Sequence, residues 1–348
     1  MHSLIVNEAY AGQRVTGQQR FAVEIAKVLL AEDGVSPATP PSRVAASSLA
    51  SWLWSLAVLP FSARRGVLLS MTSRAPVYHR AHAVVVHDLF VITNPEWYSR
   101  KYVITHAPLL RAHLRTAKVI VTVSEPVAAQ VRALGLSTAP VVVAPNAPSP
   151  VFQAPQSRAG AEQVLSRFGL TDRGFLLAVG SMDPRKNLPG LTRAYLALPE
   201  EVRREVPLVL VGAESSVFKS TDLAEAPGIV YTGYLSDAEL AGLYASCRGV
   251  VFPSFAEGFG LPLVEAMVAG AQLAVSDIEV FRWICGDNAS YFTPTDSTSM
   301  TAALDRLIRA EPKTETAVIK TVRTISTRFD WRTSAHTILT ACRRIGAI

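Results

Sequence analysis

Short, nearly continuous apolar runs alternate with helix-length amphipathic stretches, and this alternation constrains the fold of the chain more than any other feature. The runs include HAVVVHD (82–88), KVIVTVS (118–124), APVVVAPN (139–146), GFLLAVGS (174–181), VPLVLVGA (206–213), GIVYTGY (228–234) and GVVFPSF (249–255). A strand that is apolar on both faces must be covered on both faces, which points to a parallel sheet between two helical layers. Several runs end in Gly, Ser, Asn or Asp, and ligands bind beyond the carboxyl ends of such strands. The 348 residues exceed one ordinary core and suit two α/β units. Pro145 to Ala161 interrupts the pattern with Pro145, Pro148, Pro150 and Pro155 among small polar residues, a linker composition. A boundary there gives a first domain over 1–152 and a second over 153–330, and a cleft between two such units is a natural ligand site.

Composition narrows the class. Apolar residues make up 49% and charged residues 18%, which excludes a disordered chain. Cys247, Cys285 and Cys342 are far apart and form no CxxC pair, so neither a zinc site nor a disulfide framework is expected, and a cytoplasmic setting is. The beginning, MHSLIVNEAYAG, lacks the basic start and long apolar stretch of a signal peptide. Val44 to Ala63 carries no charge and approaches the length of a spanning helix, but it holds five serines and Pro60, with Trp52 and Trp54 in its middle. It reads as a helix packed on the first domain, with contact to a membrane or partner as the alternative.

The net charge of +6 is uneven: residues 1–165 hold 15 Lys and Arg against 8 Asp and Glu. From Trp97 to Ser124 there is no acid, while Arg100, Lys101, Arg111, Arg115 and Lys118 are present. Such a face attracts anionic lipid, nucleic acid or a phosphorylated substrate, or is simply solvated. Arg111, Arg115 and Lys118 fall at helical spacing and are expected to share one face.

The densest motif is PSFAEGFGLPLVEA (253–266). Glu257 precedes Gly258-Phe259-Gly260, and an apolar stretch from Leu261 reads as a helix. A glycine-flanked loop at a helix start offers backbone N–H groups and a positive dipole end to an anion. Glu257 beside the loop and Glu265, two turns into the helix, suit hydrogen bonds from sugar hydroxyls. In GSMDPRKNL (180–188), Arg185 and Lys186 follow a strand ending at Gly180. Arg holds a diphosphate in bidentate fashion and Lys acts as a point charge. VTGQQR (15–20) leads into an amphipathic helix, where Gly17 either admits a phosphate or makes a plain turn. His87, with Asp88 at a strand end, either contacts substrate or is a satisfied structural residue.

Taken together these blocks resemble the retaining glycosyltransferases of family four. EGFGLPLVEA is similar to that family's E-x7-E signature, and GSMDPRKNL and YTGYLSDAELAGLYASC follow its other second-domain blocks in order. VVVHDLFVITNPEWYS and VTVSEPVAAQV extend the likeness into the first domain, and FDWRTSA (329–335) to the end, so that it covers most of the chain. The resemblance implies the GT-B fold, two Rossmann-like doubly wound parallel-sheet domains facing across a cleft, with residues 331–348 as a last helix crossing back to the first domain. It implies that Arg185 and Lys186 bind the donor diphosphate, Glu257 the transferred sugar and Glu265 the ribose. Gly258, Phe259, Gly260 and Leu261 would hold sugar and phosphate through their amides, Leu235 would contact the base, Gly17 would face the phosphates and His87 the reacting sugar. The first-domain blocks look most like bacterial enzymes of surface polysaccharide synthesis, many of them mannosyltransferases. GDP-mannose is therefore the expected donor and a glycan or lipid-linked molecule the expected acceptor. Another donor (dTDP-rhamnose, UDP-glucose or GDP-fucose), an epimerase, or a non-catalytic nucleotide-sugar-binding protein are the alternatives. No DxD sequence occurs, so no metal is expected. Asn146-Ala147 stands where the family often has Asn-Gly, and the helix near Trp54 lacks the charges common in relatives.

Overall fold

The computed structural model describes residues 3–11, 16–45, 47–153, 161–212 and 226–346. They form two compact units: residues 1–95, 100–146 and 329–348 in the first, 96–99 and 147–328 in the second.

The first unit is built on six strands: β1 (Leu4–Asn7), β2 (Val35–Ala38), β3 (Val67–Ser70), β4 (His82–Val86), β5 (Val119–Thr122) and β6 (Val141–Val143). The second has β7 (Leu176–Val179), β8 (Leu208–Val211), β9 (Ile229–Gly233), β10 (Gly249–Phe252), β11 (Leu273–Ser276) and β12 (Ser290–Phe292). The orders are β2-β1-β3-β4-β5-β6 and β12-β11-β10-β7-β8-β9, and every pairing is parallel. All seven apolar runs named above form strands, each trimmed by a few residues. In the second sheet the chain moves outward from β7 to β9, then returns to place β10 on the other side of β7. That reversal opens a crevice beyond the carboxyl ends of β7 and β10, the usual ligand position in a doubly wound sheet.

Both sheet faces are covered, as the apolar runs demand. In the second unit Leu176, Leu208, Leu210 and Val251 pack with Leu191, Tyr195, Leu304 and Leu307 from helices Leu188–Leu196 and Ser297–Arg309. In the first, Val84, Val86 and Ile120 pack with Leu114, Val127 and Val131. The helix Trp331–Gly346 belongs to the first unit and packs on helix Gly17–Leu29, with Trp331 edge-on to Phe21. Phe152 belongs to the second unit and packs edge-on to Tyr244.

Two expectations need correction. The uncharged stretch 44–63 is not one helix but parts of three, Ser42–Ala45, Ser48–Ala57 and Leu59–Ser62. Pro60 opens the last of them, where its missing N–H costs nothing. Leu59 and Ala63 turn into the core against Leu68, while Leu49, Leu53 and Phe61 stand exposed. Among the described residues, no helix is long and apolar enough to cross a membrane. Second, helix Arg100–Thr116 ends before Lys118, whose backbone N–H already joins the sheet through the His82 carbonyl. Arg111 and Arg115 share the helix; Lys118 does not.

Candidate active site

The crevice between β7 and β10 gathers most of the second-domain motif residues. After β7 the chain passes Gly180 and Ser181 to Asp183, which opens a single 3-10 turn, Pro184–Lys186. Asp183 is fully buried and organises this turn: its carboxylate accepts from the Arg185 backbone N–H at 3.0 Å, from Ser181 Oγ at 2.7 Å and from Arg185 Nε at 3.2 Å. The guanidinium of Arg185 is thereby folded back toward its own turn. Asn187 closes the turn in the left-handed region, φ 50°, and its amide donates to the Pro294 carbonyl at 2.9 Å.

The second strand of the crevice supplies the carboxylate. Beyond β10, Phe255 N–H donates to the Arg185 carbonyl at 2.7 Å, tying the two loops together. Lys186 Nζ donates to Glu257 Oε1 at 2.6 Å, and Ser254 Oγ donates to the same oxygen at 2.7 Å. The Lys186 and Glu257 side chains are only 14% and 8% exposed, so this ion pair is largely shielded from water. The stem of Lys186 crosses Gly180, where a Cβ would stand 3.3 Å from two of its methylene carbons.

Gly258 and Phe259 follow, Phe259 packing edge-on to Trp283. Gly260 has φ +100°, a conformation that side chains disfavour, and it starts helix Leu261–Val268 with Pro262 in its first turn. Leu261 is buried as the first helical residue. Glu265 is also buried, one turn into the helix rather than two, four residues after Leu261. Leu235 is buried, between β9 and helix Asp237–Ser246, whose start Ser236 and Glu239 cap reciprocally.

The first unit carries the remaining two candidates. Gly17 is the first residue of helix Gly17–Leu29, with open space where a Cβ would point and no acid in the first turn. His87 follows β4, half-buried. Its Nε2 donates to the Met71 carbonyl at 2.9 Å and its ring meets Phe21 edge-on at 5.2 Å. Burial pushes its pKa below the usual histidine value. Burial thus favours the neutral ring, in which Nδ1 is the acceptor because Nε2 donates to Met71.

Asp183, Ser181 and Ser254 were not singled out from sequence. Asp183 did carry a signal, since Asp followed by Pro is a helix-start pair. Ser254 carried none; its place follows from β10 lying beside β7. Among the described residues no group of three or more His, Cys, Asp or Glu side chains is placed to hold a metal.

The geometry finds close relatives. Residues 166–324 match the profile of the glycosyl transferases group 1 family. The O-antigen chain mannosyltransferase B of Escherichia coli is 31% identical over 260 residues, covering 73% of this chain and 68% of that protein. The serotype-specific mannosyltransferase WbdA of Escherichia coli is 31% identical over 199 residues, 53% of this chain but only 24% of that much longer protein. Among solved structures, Alr3699/HepE from Anabaena in complex with UDP-glucose superposes with a TM-score of 0.73 over 99% of this chain and 100% of that one, at 17% identity. The fold is thus the two-Rossmann GT-B architecture. The E-x7-E loop, the turn that faces it and the 31% identity across most of a curated relative all agree: the chain belongs to the group 1 glycosyl transferases.

Proposed function

We propose that this glycosyltransferase moves mannose, with retention of configuration and without a metal, from GDP-mannose to a glycan or lipid-linked acceptor in surface polysaccharide synthesis. The observation that carries the reading is the pairing of Lys186 with Glu257 beside Arg185 at the switch point of the second sheet. Two cations at strand ends suit a nucleoside diphosphate leaving group, and the adjacent carboxylate suits sugar hydroxyls. Mannosyltransferase relatives support the choice of sugar.

In this reading the second unit holds the donor. Arg185, Lys186 and the Gly258–Leu261 amides take the diphosphate, Glu257 the sugar, Glu265 the ribose, and the backbone at Leu235 the base. The first unit holds the acceptor, with Gly17 toward the phosphates and His87 toward the reacting sugar. The bond from the sugar's anomeric carbon to the phosphate oxygen breaks as the acceptor oxygen bonds to that carbon from the same face. The departing phosphate oxygen takes the acceptor's proton. Nothing in this step needs a protein nucleophile, so the protein's work is positioning and stabilising charge on the leaving group. Arg185, Lys186 and the helix start supply the positive charge that a metal would otherwise bring.

A lipid-linked acceptor is reached most easily from the cytoplasmic membrane surface. Exposed Leu49, Leu53 and Phe61 on the uncharged helices, together with Arg111 and Arg115, are the groups proposed to meet it.

The test is transfer from a panel of GDP-, UDP- and dTDP-sugars to a lipid-linked or oligosaccharide acceptor, with the anomeric configuration of the product read by NMR. Transfer from GDP-mannose with retention supports the reading. Transfer only from another donor, or an inverted product, overturns the corresponding part.

A further inference from the structure

A second polar cavity lies in the same unit, at the opposite end of the sheet from the crevice. Its volume is about 760 Å³, within the range of small-molecule sites. Leu273 and Ser290, the first residues of β11 and β12, form its floor. One wall is helix Glu315–Arg328, which presents Lys320 and Thr324 one turn apart, and another is the end of helix Ser297–Arg309, which presents Arg306.

Charge in this cavity is lopsided. Half-buried Lys313 and the exposed Arg306 and Lys320 line it, against a single carboxylate among the described lining residues, the exposed Asp287. Lys313 is the informative one. It is half-buried, its Nζ donates to the Ala271 carbonyl at 2.9 Å, and burial pushes its pKa below the usual lysine value. A carbonyl dipole offsets the cost of desolvating an ammonium only in part; an anion offsets more. Two carbonyls at and just beyond the helix end behind them already have other partners. The Ile308 carbonyl already accepts from Arg248 Nη1 at 2.7 Å, and the Glu311 carbonyl from Gln272 Nε2 at 2.7 Å.

The rest of the lining selects among anions. Ser290, Thr321 and Thr324 contribute hydroxyls and Asn288 an amide, whereas none of the described lining residues is aromatic. A nucleobase would find nothing to stack on, while a sugar would find hydroxyl and amide partners. We propose that this cavity is a second ligand site for a phosphorylated sugar, the phosphate held by Arg306, Lys313 and Lys320 and the sugar hydroxyls by the polar wall. The proposal does not depend on which sugar the enzyme transfers.

Residue-resolved lysine acetylation, read by mass spectrometry, tests it on the full chain. Glucose 6-phosphate is the probe, with glucose and inorganic phosphate as separate arms. Lys186 serves as an internal monitor of the donor crevice. Glucose 6-phosphate should slow acetylation of Lys313 and Lys320 with one shared half-effect concentration, and should still do so when GDP saturates protection of Lys186. Glucose should have no effect, and inorganic phosphate should need at least about tenfold more. Arg306→Ala, an exposed position, should raise the half-effect concentration about tenfold with Tm unchanged. Unchanged Lys313 and Lys320 rates in glucose 6-phosphate overturn the site. Protection that GDP abolishes overturns its separateness from the crevice, and equal potency of inorganic phosphate overturns the sugar assignment.

Discussion

Replacing Glu257 by Gln should move donor binding and turnover in opposite directions. Glu257 accepts from Lys186 Nζ at 2.6 Å and from Ser254 Oγ at 2.7 Å, with both ionic side chains largely buried. A diphosphate that recruits Lys186 must share or displace that charge-assisted bond, which is worth about 1.5–3 kcal/mol. Gln keeps the shape and still accepts from Ser254 and Lys186, but as a neutral amide it holds the ammonium more weakly, by roughly 1–2 kcal/mol. It also removes a negative charge from the neighbourhood of an incoming polyanion. Both effects have the same sign, so GDP should bind about tenfold more tightly, given about 1.4 kcal/mol per tenfold. If Glu257 contacts the transferred sugar, kcat should fall at least a hundredfold, an estimate of about 2.7 kcal/mol of lost transition-state stabilisation. Calorimetric titration with GDP and single-turnover transfer measure the two quantities separately, with the circular dichroism spectrum as the check on folding. GDP binding weakened tenfold in a folded variant would refute the neutralising role of Glu257. Wild-type kcat would refute its contact with the sugar.

Other expectations follow from the same geometry. Arg185→Ala should lower kcat as well as donor affinity, because charge on the leaving group grows in the transition state; an unchanged kcat removes Arg185 from the clamp. Transfer should survive exhaustive EDTA treatment, and loss restored by magnesium or manganese contradicts the metal-free reading. Burial lowers the pKa of His82, His87 and His113, with the neighbouring charges of His113 and His79 lowering that of His82 further. The unfolded chain then takes up protons first as pH falls. Stability should be fully present above about pH 6.5 and decline below it, by at most about 1.4 kcal/mol per pH unit for each ring; urea midpoints equal at pH 7.5 and 5.5 would refute this. Co-sedimentation with anionic liposomes should weaken with salt and with Arg111→Glu/Arg115→Glu, and further with Leu53→Ser/Phe61→Ser; equal sedimentation of all variants removes the membrane contact.

How much of this was legible in the sequence depended on the range of the interaction. Seven of the twelve described strands were, because burial on both faces leaves a local apolar signature such as VVV at 84–86 or LVLV at 208–211, whereas an edge strand such as VSPA at 35–38 leaves none. The loop of Gly258 to Gly260 was, because a helix start preceded by a positive-φ glycine is encoded within a few residues. The break in the uncharged stretch was partly legible, since Pro60 marks a helix start. What was not legible is everything created by strand order. Ser254 and Lys186 are 68 positions apart and meet on one carboxylate oxygen only because β10 returns to the side of β7. The buried trio His79, His82 and His113, with neighbouring ring centroids 6.2 Å apart, is equally a product of topology.

That topology also sets the character of the crevice between β7 and β10. Two cations placed where water is scarce would carry a large desolvation cost if left alone. Each instead has its own carboxylate, Asp183 for Arg185 and Glu257 for Lys186. The two pairs are not equivalent. Asp183 is fully buried and shares its oxygens among a backbone N–H, a hydroxyl and the guanidinium, so it is fixed by its own turn. Glu257 is anchored by one hydroxyl beside a loop that begins at Gly258, and its side chain retains some exposure. In the proposed reading a diphosphate meets a guanidinium fixed by its own turn and an ammonium held by a more accessible partner. Donor binding in that reading is an exchange at Lys186 rather than the capture of an anion by free charge. Such an exchange would free Glu257 from its cation as the donor is seated, and so would couple occupation of the proposed diphosphate site to the availability of a carboxylate for the sugar.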